Sequence, residues 1–391
     1  MDLARAERAV LDEGLGAWLF YNLQHRDRIS DLILGVPEST LNTRPWLYLL
    51  RSGAEAVKVV HAIEARILDH LPGSKRIYAS RSEYLEALRE LARDLGPVAC
   101  QYSAELPVLS YLDHGTARLL AECGFELRSS QGLIQRFLGV LDAEGIRSHE
   151  QAARHLYAVV AGVWARVGEA FRRGDELRET VVQGWILEEF RSRALVTDSA
   201  PAVAVGAHAA DPHYEPEAGA EGRDAALEAG RVLLLDIFAR EDRTGSVYAD
   251  ITWVGVLASR PEAQVERAFA TVVEARDAGF RFIETALRRG RAPSGAEVDR
   301  EVRGVLERAG YGAYLKHRTG HAIDAQLHGY GANLDSVEFP DSRRLLEGSC
   351  FSIEPGVYLP EFGVRSEIDV YVREGVPVVS GGRPQARLLV L

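Results

Sequence analysis

The sequence predicts two domains, a first of the α/β class and a second of the α+β class. The chain has 391 residues, which is too long for one ordinary hydrophobic core. Strand-like and helical patterns alternate in the first part, as in an α/β domain. In the second part long helical patterns come before most of the short strands, which is typical of α+β proteins. We place the domains at residues 1–147 and 148–391.

The first domain contains five predicted strands and at least one well-marked helix. The helix covers Ser80–Asp94 and opens with Ser80 followed three residues later by Glu83, which is the pattern of a capping box. The strands are predicted at Ala17–Tyr21, Trp46–Leu50, Val57–His61, Arg76–Ala79 and Val98–Tyr102.

The second domain is predicted to begin with two helices, His149–Arg173 and Glu176–Ser192, the first after a capping box at Ser148. Two more long helices follow capping boxes that start at Ser259 and Ser294. The predicted strands are Pro201–Gly206, Val232–Phe238, Ala249–Val256, Gly320–Leu327, Cys350–Tyr358, Val364–Val372 and Pro377–Val379.

Composition excludes several classes of function. The net charge of −11 argues against nucleic acid or an anionic membrane as partner, because both attract clustered Lys and Arg. The charged start of the chain has no apolar signal region, and no apolar run reaches the roughly 20 residues that span a bilayer. The three cysteines form no CxxC pair. We therefore predict a cytoplasmic protein.

Four carboxylates lie within apolar strand patterns, where a charge is costly unless it is paired or bound to a metal. They are Asp236, Asp250, Glu354 and Glu367. One interpretation is ion pairing with the abundant arginines. The second is metal binding, and it is favoured by a concentration of histidines, five of the 11 in the chain, in two short segments: His208, His213, His317, His321 and His328.

Several carboxylates with one or two imidazoles form an oxygen-rich site that suits Mn²⁺, Co²⁺ or Zn²⁺. Two divalent ions about 3.5–4 Å apart can share a water and lower its pKa toward neutrality. Motifs for other hydrolases, such as GxSxG, a P-loop or HExxH, do not occur in the sequence. The residues alone therefore favour a two-metal hydrolase.

The motifs around these residues resemble those of the "pita-bread" metallopeptidases, which include methionine aminopeptidase, aminopeptidase P, proline dipeptidase and creatinase. The family order of ligands is Asp, Asp, His, Glu, Glu. The matching segments are Asp236, Asp250-Ile-Thr, His317-Arg-Thr-Gly-His321, Ile353-Glu354-Pro-Gly-Val-Tyr358 and Gly363-Val-Arg365-Ser-Glu367. The resemblance implies a pita-bread domain after a smaller creatinase-type α/β domain.

The resemblance also implies a role for each ligand position. Two divalent ions, Mn²⁺ first and Co²⁺ or Zn²⁺ as alternatives, would be held by five residues, with a hydroxide between the ions as nucleophile. Glu354 would also act as general base and then general acid. The implied ligands are Asp236, Asp250, His321, Glu354 and Glu367.

Five further positions match residues that act on the substrate or on the ligands in the family. His328 would stabilise the oxyanion, His213 would close over the substrate and His317 would line the proline pocket. Arg365 and Tyr358 would orient the carboxylates and relay protons.

The sequence departs from the family pattern around the pocket. The hairpin Ala239–Val247 is about three residues longer than is usual, which a hairpin tip tolerates. Trp253 stands where Arg is common, Asp324 where Gly is common, and Gly329 follows His328 where Glu is common. These changes spare the ligands and concern substrate preference.

The resemblance points to the proline-specific branch, whose members act on small peptides with proline in second position. An Xaa-Pro dipeptidase is the favoured function, and an aminopeptidase P acting on Xaa-Pro-Yaa is the alternative. A metal-free creatinase-like hydrolase or binding module is a third hypothesis, but such relatives typically lack one or more of the five ligands. The resemblance also implies a homodimer.

Overall fold

The structure is a computed structural model that describes residues 3–220 and 222–391. The chain divides into two compact units, Met1–Leu138 and Gly139–Leu391, which we call unit 1 and unit 2. The division lies nine residues before the boundary that we placed from the sequence at 147/148.

Unit 1 is an α/β domain built on a six-stranded sheet of order β4-β3-β2-β1-β5-β6. Only β2 runs against its neighbours, so the other five strands are parallel. The elements are α1 (Leu3–Asp12), β1 (Ala17–Asn22), α2 (Arg28–Leu34), β2 (Trp46–Arg51), β3 (Val57–His61), β4 (Ser74–Tyr78), α3 (Arg81–Leu91), β5 (Pro97–Cys100), α4 (His114–Glu122), β6 (Glu126–Ser129) and α5 (Gln131–Leu138).

The five strands predicted for the first domain are all present, with ends shifted by at most two residues. The capping box at the start of α3 is also present, because the Ser80 side chain accepts from the Glu83 N–H and Glu83 accepts in return. The central strands β1 and β2 are buried almost throughout, as the continuous apolar runs require of strands covered on both faces.

Unit 2 packs long helices against strands whose pairings are antiparallel, except for the last strand of the main sheet, which pairs parallel to its neighbour. Its main sheet has the order β16-β10-β9-β7, with β8 also paired to β9, and smaller sheets join β11-β14-β15 and β12-β13. The elements are α6 (Ala143–Arg173), α7 (Glu179–Ser192), β7 (Leu195–Val196), β8 (Ala202–Val205), β9 (Val232–Glu241), β10 (Ala249–Val256), α8 (Ala263–Arg288), α9 (Gly295–Arg308), β11 (Cys350–Ile353), β12 (Gly356–Leu359), β13 (Phe362–Arg365), β14 (Ile368–Arg373), β15 (Val376–Val379) and β16 (Leu389–Val390).

Two predicted capping boxes are wrong. Helix α6 begins at Ala143, with Asp142 as its cap, so Ser148 lies inside the helix and bonds to Glu241 instead. Helix α8 begins at Ala263 after Glu262, and no side chain caps it. In both cases the sequence pattern is present, but the helix starts elsewhere. The box at Ser294 is confirmed.

Three predicted strands in the C-terminal part of unit 2 differ from the structure. Residues 350–358 and 364–372 each divide into two strands, and the divisions fall at Glu354-Pro355 and Ser366-Glu367. Pro355 has no N–H for a sheet ladder, which explains the first break. The segment Gly320–Leu327 is an irregular strip with isolated bridges at Gly320 and Ala322. None of the described helices is long and apolar enough to cross a membrane.

Candidate active site

The hairpin of β9 and β10 brings the two predicted aspartate ligands to one face of the main sheet. Asp236 lies opposite Thr252, and Asp250 lies two residues before Thr252 on the same strand. Side chains two apart on a strand share a face, so Asp236, Asp250 and Thr252 project together. The pairing of the two strands ends at Ala239 and Ala249, so the extra residues at the hairpin tip lie outside the paired region that holds Asp236 and Asp250.

The two predicted glutamates stand at the two strand breaks described above. Glu354 links β11 to β12, and Glu367 links β13 to β14. The His321 segment runs beside β11, since the Ser352 N–H donates to the His321 carbonyl at 2.9 Å and the Glu354 N–H to the Thr319 carbonyl at 2.7 Å. The backbone thereby fixes His321 next to Glu354.

Three of the predicted ligands form a compact group. One oxygen each of Asp250 and Glu367 and one ring nitrogen of His321 all lie within 4.8 Å of one another, and the three side chains are buried. His321 Nδ1 donates to the Ala322 carbonyl at 3.2 Å, so the ring proton is on Nδ1. The unprotonated Nε2 therefore has a lone pair that can bind a metal ion. That Nε2 is 3.5 Å from Asp250 Oδ2 and 3.5 Å from Glu354 Oε1.

Ion pairing with arginine explains only part of this carboxylate cluster. Asp236 pairs with Arg365 at 2.5 Å. Asp250 Oδ1 and Glu367 Oε1, by contrast, are buried and have no hydrogen-bond partner in the described parts of the chain. A buried carboxylate oxygen without a partner is costly, and a divalent cation is the partner that this donor set of oxygens and one imidazole suits. The residues therefore fit a metal site.

The burial and close spacing of these carboxylates also shift their pKa values. Burial raises the pKa of Asp250 and Glu367 well above their usual values, and repulsion by the neighbouring carboxylates raises them further. Burial also raises the pKa of Asp236, although Arg365 opposes the rise. Burial would raise the pKa of Glu354 too, but the neighbouring histidines and arginines lower it: His321, His317, Arg365 and Arg318.

A chain of hydrogen bonds runs from the carboxylates to His317. Arg365 donates to Asp236, to the Thr252 hydroxyl at 2.9 Å and to the Tyr358 hydroxyl at 3.2 Å. The Tyr358 hydroxyl lies 2.6 Å from His317 Nε2. Because His317 Nδ1 donates to a backbone carbonyl at 2.6 Å, its Nε2 accepts from Tyr358.

The remaining predicted histidines lie on the open side of the group. The His328 ring packs edge-on against His321 with centroids 4.4 Å apart. Although His328 is exposed at the surface, loss of hydration to the groups packed around its ring, followed by the nearby His321 and Arg318, lowers its pKa to about 4. His213 is exposed and near enough to His328 to contribute to the same shift. His208 instead bonds to buried Glu179 at 2.9 Å.

Two residues of this neighbourhood were missed from the sequence. The Thr252 hydroxyl lies 2.7 Å from Glu367 Oε2 and 3.2 Å from Asp236 Oδ1, so it joins two predicted ligands. Strand alternation from Asp250 would have identified it. Asp369 is buried, and its Oδ2 accepts from the Asp250 N–H at 2.7 Å. It is a carboxylate in an apolar strand, so the criterion that selected the other four applies to it as well.

The sequence matches metallopeptidase family M24 over residues 147–374, which is more than half of the chain. The chain belongs to this family. Among its relatives, the M24 chain is 29% identical to YkvY of Bacillus subtilis (strain 168) over 251 residues, covering 64% of this chain and 62% of YkvY. It is 30% identical over 166 residues to the Xaa-Pro dipeptidase of Lactobacillus helveticus, covering 42% of this chain and 40% of that protein.

A solved structure, the Xaa-Pro dipeptidase from Bacillus anthracis, shares the fold of this M24 chain over its whole length. The TM-score is 0.64, the identity is 20%, and the match covers 100% of this chain and 99% of the other. The predicted pita-bread fold with a smaller N-terminal domain, and the predicted membership of this metallopeptidase family, are confirmed. The sequence matches span less than two thirds of the length of the two named relatives.

Proposed function

We propose that this M24 chain is a dinuclear metallopeptidase that hydrolyses Xaa-Pro dipeptides. The observation that carries the proposal is the buried group of Asp250, His321 and Glu367, with two carboxylate oxygens left without a hydrogen-bond partner among the described residues. The relatives and the solved structure named above include Xaa-Pro dipeptidases, which supports the choice of substrate.

Five side chains would hold the metals, two aspartates from one hairpin, one histidine and two glutamates. Four carboxylates balance two divalent cations well, and Mn²⁺ is the first choice for a site that is mostly oxygen, with Co²⁺ and Zn²⁺ as alternatives. When bound, such ions supply a nucleophile at neutral pH and polarise the scissile carbonyl. The proposed ligands are Asp236, Asp250, His321, Glu354 and Glu367.

Glu354 is the carboxylate best placed to move protons. Its side chain retains 14% exposure, against 7% for Asp250, and Asp236, at 17%, is already engaged by Arg365, so Glu354 is the accessible carboxylate that Arg365 leaves without a hydrogen bond. Its lowered pKa keeps it ionised and able to accept a proton from water. The same carboxyl group would then return that proton to the proline nitrogen as the bond breaks.

The histidines other than His321 would serve the substrate rather than the metals. The lowered pKa of His328 keeps its ring neutral, so a ring N–H can donate to the carbonyl oxygen as negative charge develops on it. His317 and Tyr358 form the wall on the proline side, fixed to each other by a 2.6 Å hydrogen bond. Exposed His213 would close over the bound peptide, and Arg365 would orient Asp236.

Arg318 supports a dipeptide over a longer peptide. It is half-buried, and its guanidinium has no hydrogen bond or ion pair among the described residues. Its charge is close enough to act on the pKa of both His328 and Glu354. The carboxylate of an Xaa-Pro dipeptide would satisfy this cation, and a third residue would remove that charge from the position. Aminopeptidase P activity on Xaa-Pro-Yaa is the alternative.

Two further expectations accompany this proposal. A homodimer and residence in the cytoplasm both stay predictions, the first from family resemblance and the second from composition. Size measurement of the full chain in solution tests the first. A monomer at micromolar concentration would contradict it.

The test compares hydrolysis of Leu-Pro with hydrolysis of Leu-Pro-Yaa by protein reconstituted with Mn²⁺. We expect release of proline from Leu-Pro, and loss of that activity by about a hundredfold or more in Asp250→Ala. Asp242→Ala is the matched control, because Asp242 is exposed at the tip of the same hairpin. Faster cleavage of the tripeptide would favour aminopeptidase P. Failure to retain Mn²⁺, Co²⁺ or Zn²⁺ on elemental analysis would overturn the metalloenzyme.

A further inference from the structure

Unit 1 contains an open cavity of about 710 Å³ that the proposed peptidase reaction does not use. Tyr21, His61 and Tyr78 line it, and they stand at the carboxyl ends of β1, β3 and β4. These three strands are parallel. In open α/β sheets ligands bind in the crevice outside the carboxyl ends of the strands, and a volume of this size suits a small molecule.

The cavity has an excess of positive charge. Four arginines line it, against two acidic residues. Glu122 is paired with Arg118 at 3.3 Å, and Asp113 accepts from both the N–H and the hydroxyl of Thr116. The other three arginines form no ion pair with any carboxylate of the described residues: Arg26, Arg44 and Arg81. Arg26 donates to Gln24 and Arg44 to Thr43, so these guanidinium groups have neutral partners only, and an anion is the ligand that the three charges would bind.

Two helices also begin at this cavity. Helix α3 starts at Arg81 after its cap Ser80, and α4 starts at His114 after Asp113. The caps and first residues of both helices belong to the cavity lining. Helix N-termini carry partial positive charge, so both add to the field of the arginines, although the Asp113 carboxylate offsets that of α4.

Two tyrosine rings add aromatic edges to the cavity wall. Tyr84 lines the cavity but is only 6% exposed, and its hydroxyl is enclosed in the wall without a hydrogen-bond partner among the described residues. Its ring lies against that of Tyr78, with centroids 4.7 Å apart. The Tyr78 hydroxyl is already used, since it donates to the Pro45 carbonyl at 2.6 Å. Tyr78 and Tyr84 therefore contribute ring edges to the cavity, and neither contributes a free hydroxyl.

We propose that this cavity binds a small organic anion with an aromatic or apolar body. Its phosphate or carboxylate group contacts Arg81 and the neighbouring arginines, and its body lies on the rings of Tyr78 and Tyr84. All lining residues fall between Tyr21 and Glu122, so the site belongs to unit 1 alone. The proposal is independent of the metal site and of peptide hydrolysis.

Binding of four probes to the full-length protein, measured by calorimetry, tests this proposal. The probes are phenyl phosphate, benzoate, inorganic phosphate and benzyl alcohol. We expect saturable binding of phenyl phosphate or benzoate, and weaker binding of the other two, which lack either the body or the charge. The better of the two organic anions identifies the head group. Binding of benzyl alcohol as tight as that of both anions, or no saturable binding at all, would overturn the proposal.

Variants assign the site to the cavity. Arg81→Gln should weaken binding of the preferred anion about tenfold or more, because it removes a charged donor. Arg93→Gln, an exposed arginine of the same unit outside the lining, should leave affinity unchanged. Tyr84→Phe removes the enclosed, unsatisfied hydroxyl, so we expect equal or higher thermal stability without ligand and unchanged affinity. Undiminished affinity in Arg81→Gln would show that the anion binds elsewhere.

Discussion

The carboxylate of Asp369 accepts a hydrogen bond from the backbone N–H of Asp250 at 2.7 Å. Asp250 lies on β10 and Asp369 on β14, so this bond ties the central hairpin to the strand that follows Glu367. Asp369 Oδ1 has no partner among the described residues, and the Asp369 side chain is only 1% exposed. The buried Asp369 carboxylate thus helps to fix the positions of Asp250 and Glu367, two of the proposed ligands, relative to each other.

Removing this carboxylate should loosen the metal site without touching a proposed ligand. Asp369→Ala leaves the Asp250 N–H unpaired in the interior, which costs about 1–3 kcal/mol of unfolding free energy. We expect a lower thermal midpoint and weaker Mn²⁺ retention. Asp369→Asn keeps an oxygen that can accept from Asp250 and should lose less of both. Equal losses in the two variants would show that the side-chain charge, rather than the hydrogen bond, matters.

His328 should affect turnover more than metal binding. It packs on His321 but belongs to the open side of the site, where the carbonyl oxygen of a substrate would lie. We expect His328→Ala to lower kcat for Leu-Pro by about 10²–10³ while metal content per chain stays the same. His155→Ala, in helix α6, serves as the control. A parallel loss of metal in His328→Ala would make His328 part of the metal environment instead.

Much of the fold and most of the candidate site were predictable because they depend on local pattern. The strands of unit 1 are continuous apolar runs, and the carboxylates of unit 2 interrupt such runs. Both features can therefore be recognised in the sequence without the structure. Thr252 was missed because the search followed charges, although strand alternation places it beside Asp250. Arg318 gained a role only when the structure placed its charge near His328 and Glu354.

The wrong predictions concern where elements begin and break. Ser148 and Ser259 carry the pattern of a capping box, but Asp142 caps α6 and no side chain caps α8. Which of several polar residues caps a helix depends on tertiary packing: Ser148 is buried and bonds to Glu241 on β9. The cavity of unit 1 was also invisible in the sequence, since its arginines are spread from Arg26 to Arg118.

A buried carboxyl at the start of α2 should make stability depend on pH. Asp27 caps α2 and accepts from Ser30, but burial raises its pKa from 3.8 to about 6. Because the folded-state pKa is raised, its favourable contribution is present below pH 4 and is lost as pH rises through 6. The change corresponds to about 3 kcal/mol.

The variant Asp27→Asn removes this titration and keeps one side-chain oxygen as a cap. We expect its stability relative to the original chain to rise between pH 4 and pH 7, as judged from denaturant unfolding at each pH. The control is Asp94→Asn, at an exposed aspartate of the same unit. A relative stability that stays constant from pH 4 to pH 7 would mean that Asp27 titrates normally.

Arg318 should decide between a dipeptide and its amide. If its guanidinium binds the substrate carboxylate, Arg318→Gln raises KM for Leu-Pro by about tenfold or more, because a charge-assisted hydrogen bond is lost. Leu-Pro-amide has no carboxylate, so the same substitution should change its KM little. Arg318→Lys keeps the charge but loses the planar donor pair. We therefore expect its KM for Leu-Pro to lie between those of the original chain and of Arg318→Gln. Steady-state kinetics with both substrates measures the preference directly, and an equal rise of KM for acid and amide would place Arg318 outside the carboxylate contact.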